Sequence, residues 1–325
     1  MTRRRHLLAP FAAWATTTAT ATTACAAEQP SPAAGPGPGS TTRAQGTRLL
    51  LLGTMAGPVL DASRAMCSQL VQVKGKSYLV DCGYAAIQRM TEMGVALRDL
   101  HQVLITHHHS DHTADYPALV NLSWIMGRPE PLRVFGPPPL LKMHAAALQV
   151  FEEDAAIRIR ATGRQAMASA FDVQEIARTG VIHEDAGVRI TAMKVAHPPF
   201  ETALGYRFDT ADRSIALSGD TAPCEQMVEL ARGCDVLVHE AMLVDRIDRM
   251  LARRPYVPPQ LREFLLQGHS TAADAGRVAA RAGVRTLVLS HLLPGNEGIP
   301  DAEWIGEARR HFKGRILVGR DRMVV

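Results

Sequence analysis

No run of five or more basic residues occurs in these 325 residues, and the formal net charge is only +4, so charge gives no support to nucleic-acid binding. No unit recurs at a fixed period, which excludes solenoids and propellers. Nor is any apolar stretch long enough, or rich enough in Leu and Ile, to hold a helix across a bilayer. Cysteine is scarce, with five residues, and no pairing among them can be read from pattern. With these classes set aside, a chain that is 46% hydrophobic and 21% charged reads as an ordinary soluble protein, long enough for one generous domain or two small ones.

The first residues read as a processing segment. Thr2-Arg3-Arg4-Arg5-His6-Leu7-Leu8 is a positive start, an Ala/Thr-rich stretch follows, and Ala24-Cys25-Ala26-Ala27 is a small-residue cleavage site. An Arg pair ahead of a mildly apolar core resembles a twin-arginine export signal, a route for proteins that fold before crossing. Residues 1–27 are therefore expected to send the protein to the periplasm or outside the cell. Thr22-Thr23-Ala24-Cys25 is also a poor lipoprotein box without the usual Leu, so a lipid anchor on Cys25 stays as the lesser alternative. Residues 28–45, rich in Pro, Gly, Ser and Thr, read as a flexible tether, and residues 46–325 as the folded domain.

Within that domain the densest chemistry is His107-His108-His109-Ser110-Asp111-His112. The preceding Gln102-Val103-Leu104-Ile105-Thr106 is a short apolar, β-branched run, so the cluster sits where a buried strand empties into a loop. Side chains alternate along extended chain, which sends His107 and His109 to one side and His108 to the other. A polar strand end explains one histidine; four potential ligands in six residues point to metal. Further candidates arrive singly at expected strand ends: His197 after Val188 to Val195, Asp220 after Ser214 to Ser218, and His291 after Thr286 to Ser290. Strands also read at Arg48 to Thr54 and in a hairpin of Ser68 to Val73 with Ser77 to Val80, while helices begin near Ala85 and Tyr116. Cys67 and Cys82 flank that hairpin, where a disulfide and two buried free thiols are both open readings.

The spacing His-x-His-x-Asp-His is similar to the signature loop of the metallo-β-lactamase-fold hydrolases, and the resemblance runs from about Gly46 to the C-terminus. It implies an α/β fold, an αββα sandwich, agreeing with strands and helices on both sides of the loop. It also implies two divalent cations, zinc first and Mn2+ or Fe2+ as alternatives. His107, His109 and His197 are expected on one ion, Asp111, His112 and His291 on the other, and Asp220 on both, leaving each an open position. Water held between two cations ionises near neutral pH, which provides a nucleophilic hydroxide without Ser or Cys.

Val238-His239-Glu240-Ala241 and Gly268-His269-Ser270-Thr271-Ala272, with Ser218-Gly219-Asp220-Thr221, resemble segments of the ribonuclease Z-like branch, which includes arylsulfatase- and phosphodiesterase-type members. That resemblance implies that His269 faces the substrate, that Glu240 orients it, and that Asp111 joins them in catalysis. The plain alternative for His269 is a residue at a helix N-terminus beside the capping Ser270 and Thr271. The tRNA-processing members carry a long Gly- and basic-rich arm before the bridging aspartate, whereas here His197 and Asp220 are 23 positions apart. The expected substrate is therefore a small or medium phosphodiester or sulfate ester, with no nucleic acid as partner and a homodimer left open. A lactonase or thioesterase is the main alternative; ribonuclease Z-type cleavage, β-lactamase activity and non-catalytic metal binding are minor ones.

Overall fold

The computed structural model describes residues 46–254, 256–295 and 298–325. The expected export segment, the tether and Cys25 lie outside the described residues. Among the described residues no helix is long and apolar enough to cross a membrane.

The first sheet is built from β1 (Arg48–Gly53), β2 (Ser68–Val73), β3 (Lys76–Val80), β4 (Leu100–Leu104), β5 (Leu132–Gly136) and β6 (Phe171–Glu175). The second comprises β7 (Gly180–Glu184), β8 (Val188–Val195), β9 (Ala203–Thr210), β10 (Ser214–Leu217), β11 (Val236–Met242), β12 (Thr286–Leu293) and β13 (Arg315–Val318). The short β14 (Met323–Val324) returns to pair with β1, giving orders β14-β1-β2-β3-β4-β5-β6 and β13-β12-β11-β10-β9-β8-β7. Helices cover the outer face of each sheet, so the αββα sandwich expected from the sequence is the architecture found.

The apolar run in β1 shows why. Alternate side chains point to opposite faces: Leu49 and Leu51 enter the layer between the sheets with Val71, Tyr78, Tyr206 and Phe208, while Leu50 and Leu52 pack under helices with Leu79, Met90 and Tyr116. A strand buried on both faces reads as continuous apolar sequence. β11 and β12 repeat this, with Val236, Val238 and Val288 inward and Leu237, Leu287 and Leu289 outward. Each such side chain contributes about 1.5–3 kcal/mol through burial.

This topology gathers the candidate residues. β8 and β10 both run antiparallel to β9, and β10, β11 and β12 are mutually parallel. The segments after β8 and β10 and the late residues of β11 and β12 therefore share one edge, and the loop after β4 meets them across the sandwich. The expected end of strand at Ser290 is corrected: β12 continues to Leu293. Pairing passes from Glu240↔Ser290 to Ala241↔Leu292, so His291 is the extra residue of a bulge, with φ 43°. A bulge re-aims one side chain while the strand goes on pairing.

Cys67, Cys82, Cys224 and Cys234 are all free thiols. Cys67 and Cys82 look opposite by register, but Cys67 Sγ accepts from Gln69 Nε2 at 3.1 Å, whereas Cys82 packs under the helices with Leu79 and Ala86.

Candidate metal centre

His107, His109, His197 and Asp220 offer donor atoms that all lie within 4.8 Å of one another. His107 Nε2 is 3.0 Å from His109 Nδ1, His197 Nε2 is 3.3 Å from the same atom, and Asp220 Oδ2 is 3.5 Å from His107 Nε2. Donors around a tetrahedral cation with bonds of about 2.0–2.1 Å sit about 3.4 Å apart, so the set has the right size. Burial lowers the pKa of His107, His109 and His197, that of His109 to about 4, which keeps these imidazoles neutral as ligation requires. His108 points away as alternation requires, its Nε2–H donating to the Pro137 carbonyl at 2.8 Å.

Asp111, His112 and His291 form the adjoining set. Asp111 and His112 lie on the single helical turn Ser110–Thr113 that follows the loop. His291 Nε2 approaches Asp111 Oδ2 and Asp220 Oδ2 at 3.2 and 3.3 Å, and His112 Nε2 faces Asp220 Oδ1 at 3.3 Å. Both His112 Nε2 and Asp220 Oδ1 are buried without a hydrogen-bond partner. A buried imidazole nitrogen and a carboxylate oxygen that face each other with no hydrogen bond made leave a place where a cation can be shared between them. Asp220 thus presents one oxygen to each set, with Oδ2 shared more widely.

Charge gives the same result. Asp81, Asp111, Asp220 and Glu240 are all nearly inaccessible, and their recorded ion pairs are to imidazoles rather than to Lys or Arg. Burial pulls His112 down, but Asp220, Asp81 and Asp111 outweigh it and hold the ring well above its usual value. Buried carboxylates so crowded need compensating cations, and the donor set fits divalent ones.

His269 and Glu240 complete the site. His269 Nδ1–H donates to Glu240 Oε2 at 2.8 Å, and the Thr221 backbone N–H donates to Glu240 Oε1 at 2.5 Å. Burial lowers the pKa of His269, yet Glu240, with Asp220 and Asp111 adding to it, more than offsets this and raises it to about 9. His269 ends the helix Leu261–Gly268, while Thr271 caps the next helix, Ala272–Ala282, through a capping box with Asp274. Ser270 is not a cap; its Oγ donates to the Thr221 carbonyl at 2.6 Å.

Several supporting groups had no assigned role in the sequence. Asp81, which follows β3 and has φ 60°, accepts from His112 Nδ1–H at 2.7 Å and from Thr106 Oγ1–H at 2.9 Å. Thr106 Oγ1 in turn accepts from His107 Nδ1–H at 3.0 Å, so one carboxylate orients an imidazole of each set. The signal available was an acidic residue at the end of a strand that neighbours β4. Gly57 N–H donates to Asp111 Oδ2 at 2.8 Å, and a Cβ there would come within 2.3 Å of Asp111 Cβ. The Gly268 carbonyl accepts from His197 Nδ1–H at 2.6 Å. Gly219, at φ 59°, makes the bend that turns Asp220 inward, and a Cβ would meet the Leu204 carbonyl at 2.8 Å.

Asp81→Asn is therefore expected to weaken metal affinity in both sets by roughly 10–100-fold, the usual cost of losing an outer hydrogen-bond partner. Chelator competition reads this directly, and unchanged affinity would show that Asp81 orients neither ring.

A family model described as "Beta-lactamase superfamily domain" matches residues 76–292. The ribonuclease Z of Mycobacterium bovis (strain BCG / Pasteur 1173P2) is 34% identical over 276 residues, covering 84% of this chain and 95% of that protein. Among solved structures, the metallo-beta-lactamase fold protein YhfI from Bacillus subtilis has a TM-score of 0.64 at 20% identity, over 86% of this chain and 98% of its own. Human tRNase Z, short form, has a TM-score of 0.62 at 19% identity, over 86% of this chain and 98% of its own. At these identities the two solved structures show a shared fold.

Proposed function

The chain belongs to the beta-lactamase superfamily and is a metal-dependent hydrolase of ester bonds; from that premise we propose that its substrate is a phosphodiester or sulfate ester of small or medium size. The observation that carries this reading is the His269–Glu240 pair beside Asp220. With Nδ1–H tied to Glu240 at 2.8 Å, His269 keeps Nε2 for the substrate, either donating to a non-bridging oxygen or protonating the leaving oxygen. A phosphoryl or sulfuryl centre spreads negative charge over several oxygens during attack, so a donor additional to the metal centre acts there; a carboxylic ester or lactone develops only one oxyanion.

In this reading His107, His109, His197 and Asp220 hold one divalent cation, and Asp111, His112, His291 and Asp220 the other. The imidazole-rich set favours zinc, with Mn2+ or Fe2+ better suited to the set containing Asp111. When bound, such cations supply Lewis acidity, lowering the pKa of water and offsetting negative charge. Asp220 fixes the two sets relative to each other, Asp81 and Thr106 fix the tautomers of His112 and His107, and Glu240 fixes that of His269.

The ribonuclease name of the M. bovis relative supports phosphodiester chemistry and makes RNA a substrate to be tested beside small diesters. The stretch from His197 to Asp220 is taken up by β9 and β10, which supports a compact substrate. The discriminating assay compares bis(p-nitrophenyl) phosphate, p-nitrophenyl sulfate, a structured RNA and a lactone on the metal-loaded protein. Turnover of the diester or the sulfate should be fastest. A lactone hydrolysed far faster than either would transfer the assignment to the lactonases, and a strong preference for RNA would remove the size limit.

Export also belongs to this proposal, on the strength of Arg3 and Arg4 ahead of the Ala/Thr-rich stretch. Changing both to Lys should retain the precursor in the cytoplasm with its activity intact, because this receptor-read signal distinguishes Arg from Lys. Mature double-Lys protein outside the cytoplasm would point to the general secretory route, and labelling with a lipid precursor decides the fate of Cys25.

A further inference from the structure

Solvent reaches the first ligand set at His109, since His107 is 0% and His197 1% exposed while His109 is partly open. Two phenylalanines, of only eight in the chain, stand against that open edge. Phe200 stacks on His197, with ring centroids 5.6 Å apart and planes at 16°, and meets His109 edge-on at 4.7 Å. Phe264 meets His109 at 6.2 Å and 62° from the other element, the helix Leu261–Gly268.

The two rings have different tasks. Phe200 also touches His107 at 5.2 Å and so buttresses all three imidazoles. Phe264 is 38% exposed and lies outside the apolar cluster that anchors its helix. Leu265, with Leu261 and Leu266, makes that anchor by packing into the cluster of Ala56, Met242, Ile247, Met250 and Leu293. An isolated exposed phenylalanine is unremarkable on a protein surface. One placed against the partly open imidazole of a candidate ligand is positioned to be covered by a molecule bound there.

We propose that Phe264, with Phe200 beside it, forms a ring-stacking subsite at the His109 edge that takes an aromatic substituent of the ester, an aryl group or a nucleobase, making Phe264 a specificity-determining residue. The proposal rests on the ester-hydrolase reading above and specifies which esters the site prefers. Stacking on an aromatic side chain tolerates any flat ring, so the subsite selects aromatic over aliphatic substituents without distinguishing among rings.

The test uses the metal-loaded full chain and calorimetric titration with phenyl phosphate and methyl phosphate, ligands that share the anionic group and differ in the ring. The unaltered protein should prefer phenyl phosphate, and Phe264→Ala should reduce that preference by about tenfold, with affinity for methyl phosphate and metal content unchanged. Phe264→Leu, which keeps apolar bulk without the ring, should retain only part of the preference. Phe200 is left intact because its removal would loosen the imidazoles it supports. Equal affinity for the two phosphates in the unaltered protein, or an undiminished preference in Phe264→Ala, overturns the subsite. If the preference falls as expected but neither a phosphodiester nor a sulfate ester is turned over, the subsite stands and the proposed reaction class falls.

Discussion

Asp220→Ala should strip metal from both ligand sets and cost more activity than the roughly 10–100-fold lost with an outer-shell partner. Asp220 is 1% exposed, with Oδ1 3.3 Å from His112 Nε2 and Oδ2 3.3 Å from His291 Nε2 and 3.5 Å from His107 Nε2. Among the described residues no other carboxylate approaches imidazoles of both sets at such distances, so its loss leaves each set one donor short. His291→Ala makes the contrast, because His291 meets Asp111 and Asp220 within the second set and should empty mainly that one. Elemental analysis of the purified variants reads the result. About two metals per chain retained by Asp220→Ala would end the bridging assignment, and a His291→Ala protein left with no metal would mean that the two sets do not load independently.

His269→Ala should lower kcat by roughly 10²-fold or more while leaving metal content as it was. The separation is physical: His269 Nδ1 is committed to Glu240 at 2.8 Å and comes no nearer than 3.9 Å to Asp220 Oδ2, so removing the ring takes no assigned donor from either ligand set, although it also removes a ring stacked on His291. Glu240→Gln is the companion. An amide oxygen can still accept from His269, but without the charge that raises the imidazole pKa, so its effect on kcat should be smaller than that of His269→Ala. Full activity in His269→Ala would exclude a role in the reaction, and loss of metal from it would make His269 a ligand instead.

The candidate donors themselves were legible because each is marked by a short stretch. Alternation along extended chain placed His107 and His109 together, and apolar runs ending in polar residues marked His197 and Asp220. His269 and Glu240 stood out by resemblance, and the structure brings them to 2.8 Å, an arrangement that neither segment specifies. His291 was marked as a candidate for an incomplete reason. Thr286 to Ser290 looks like a strand that stops, and nothing in the run announces that β12 resumes at Leu292 after a bulge.

The amino-acid sequence by itself determined the sandwich, the edge at which the site lies and the donor chemistry, since periodicity of 2, apolar runs and ligand spacing are local properties of the chain. Only the tertiary structure decided how those donors are held and approached. Asp81 reaches His112 across 31 positions, Gly57 reaches Asp111 across 54, His197 reaches Gly268 across 71, and Phe264 comes to stand at His109. Each of these contacts follows from strand register and the docking of one helix, and a residue pattern states what a segment requires of its surroundings without naming the distant segment that will supply it.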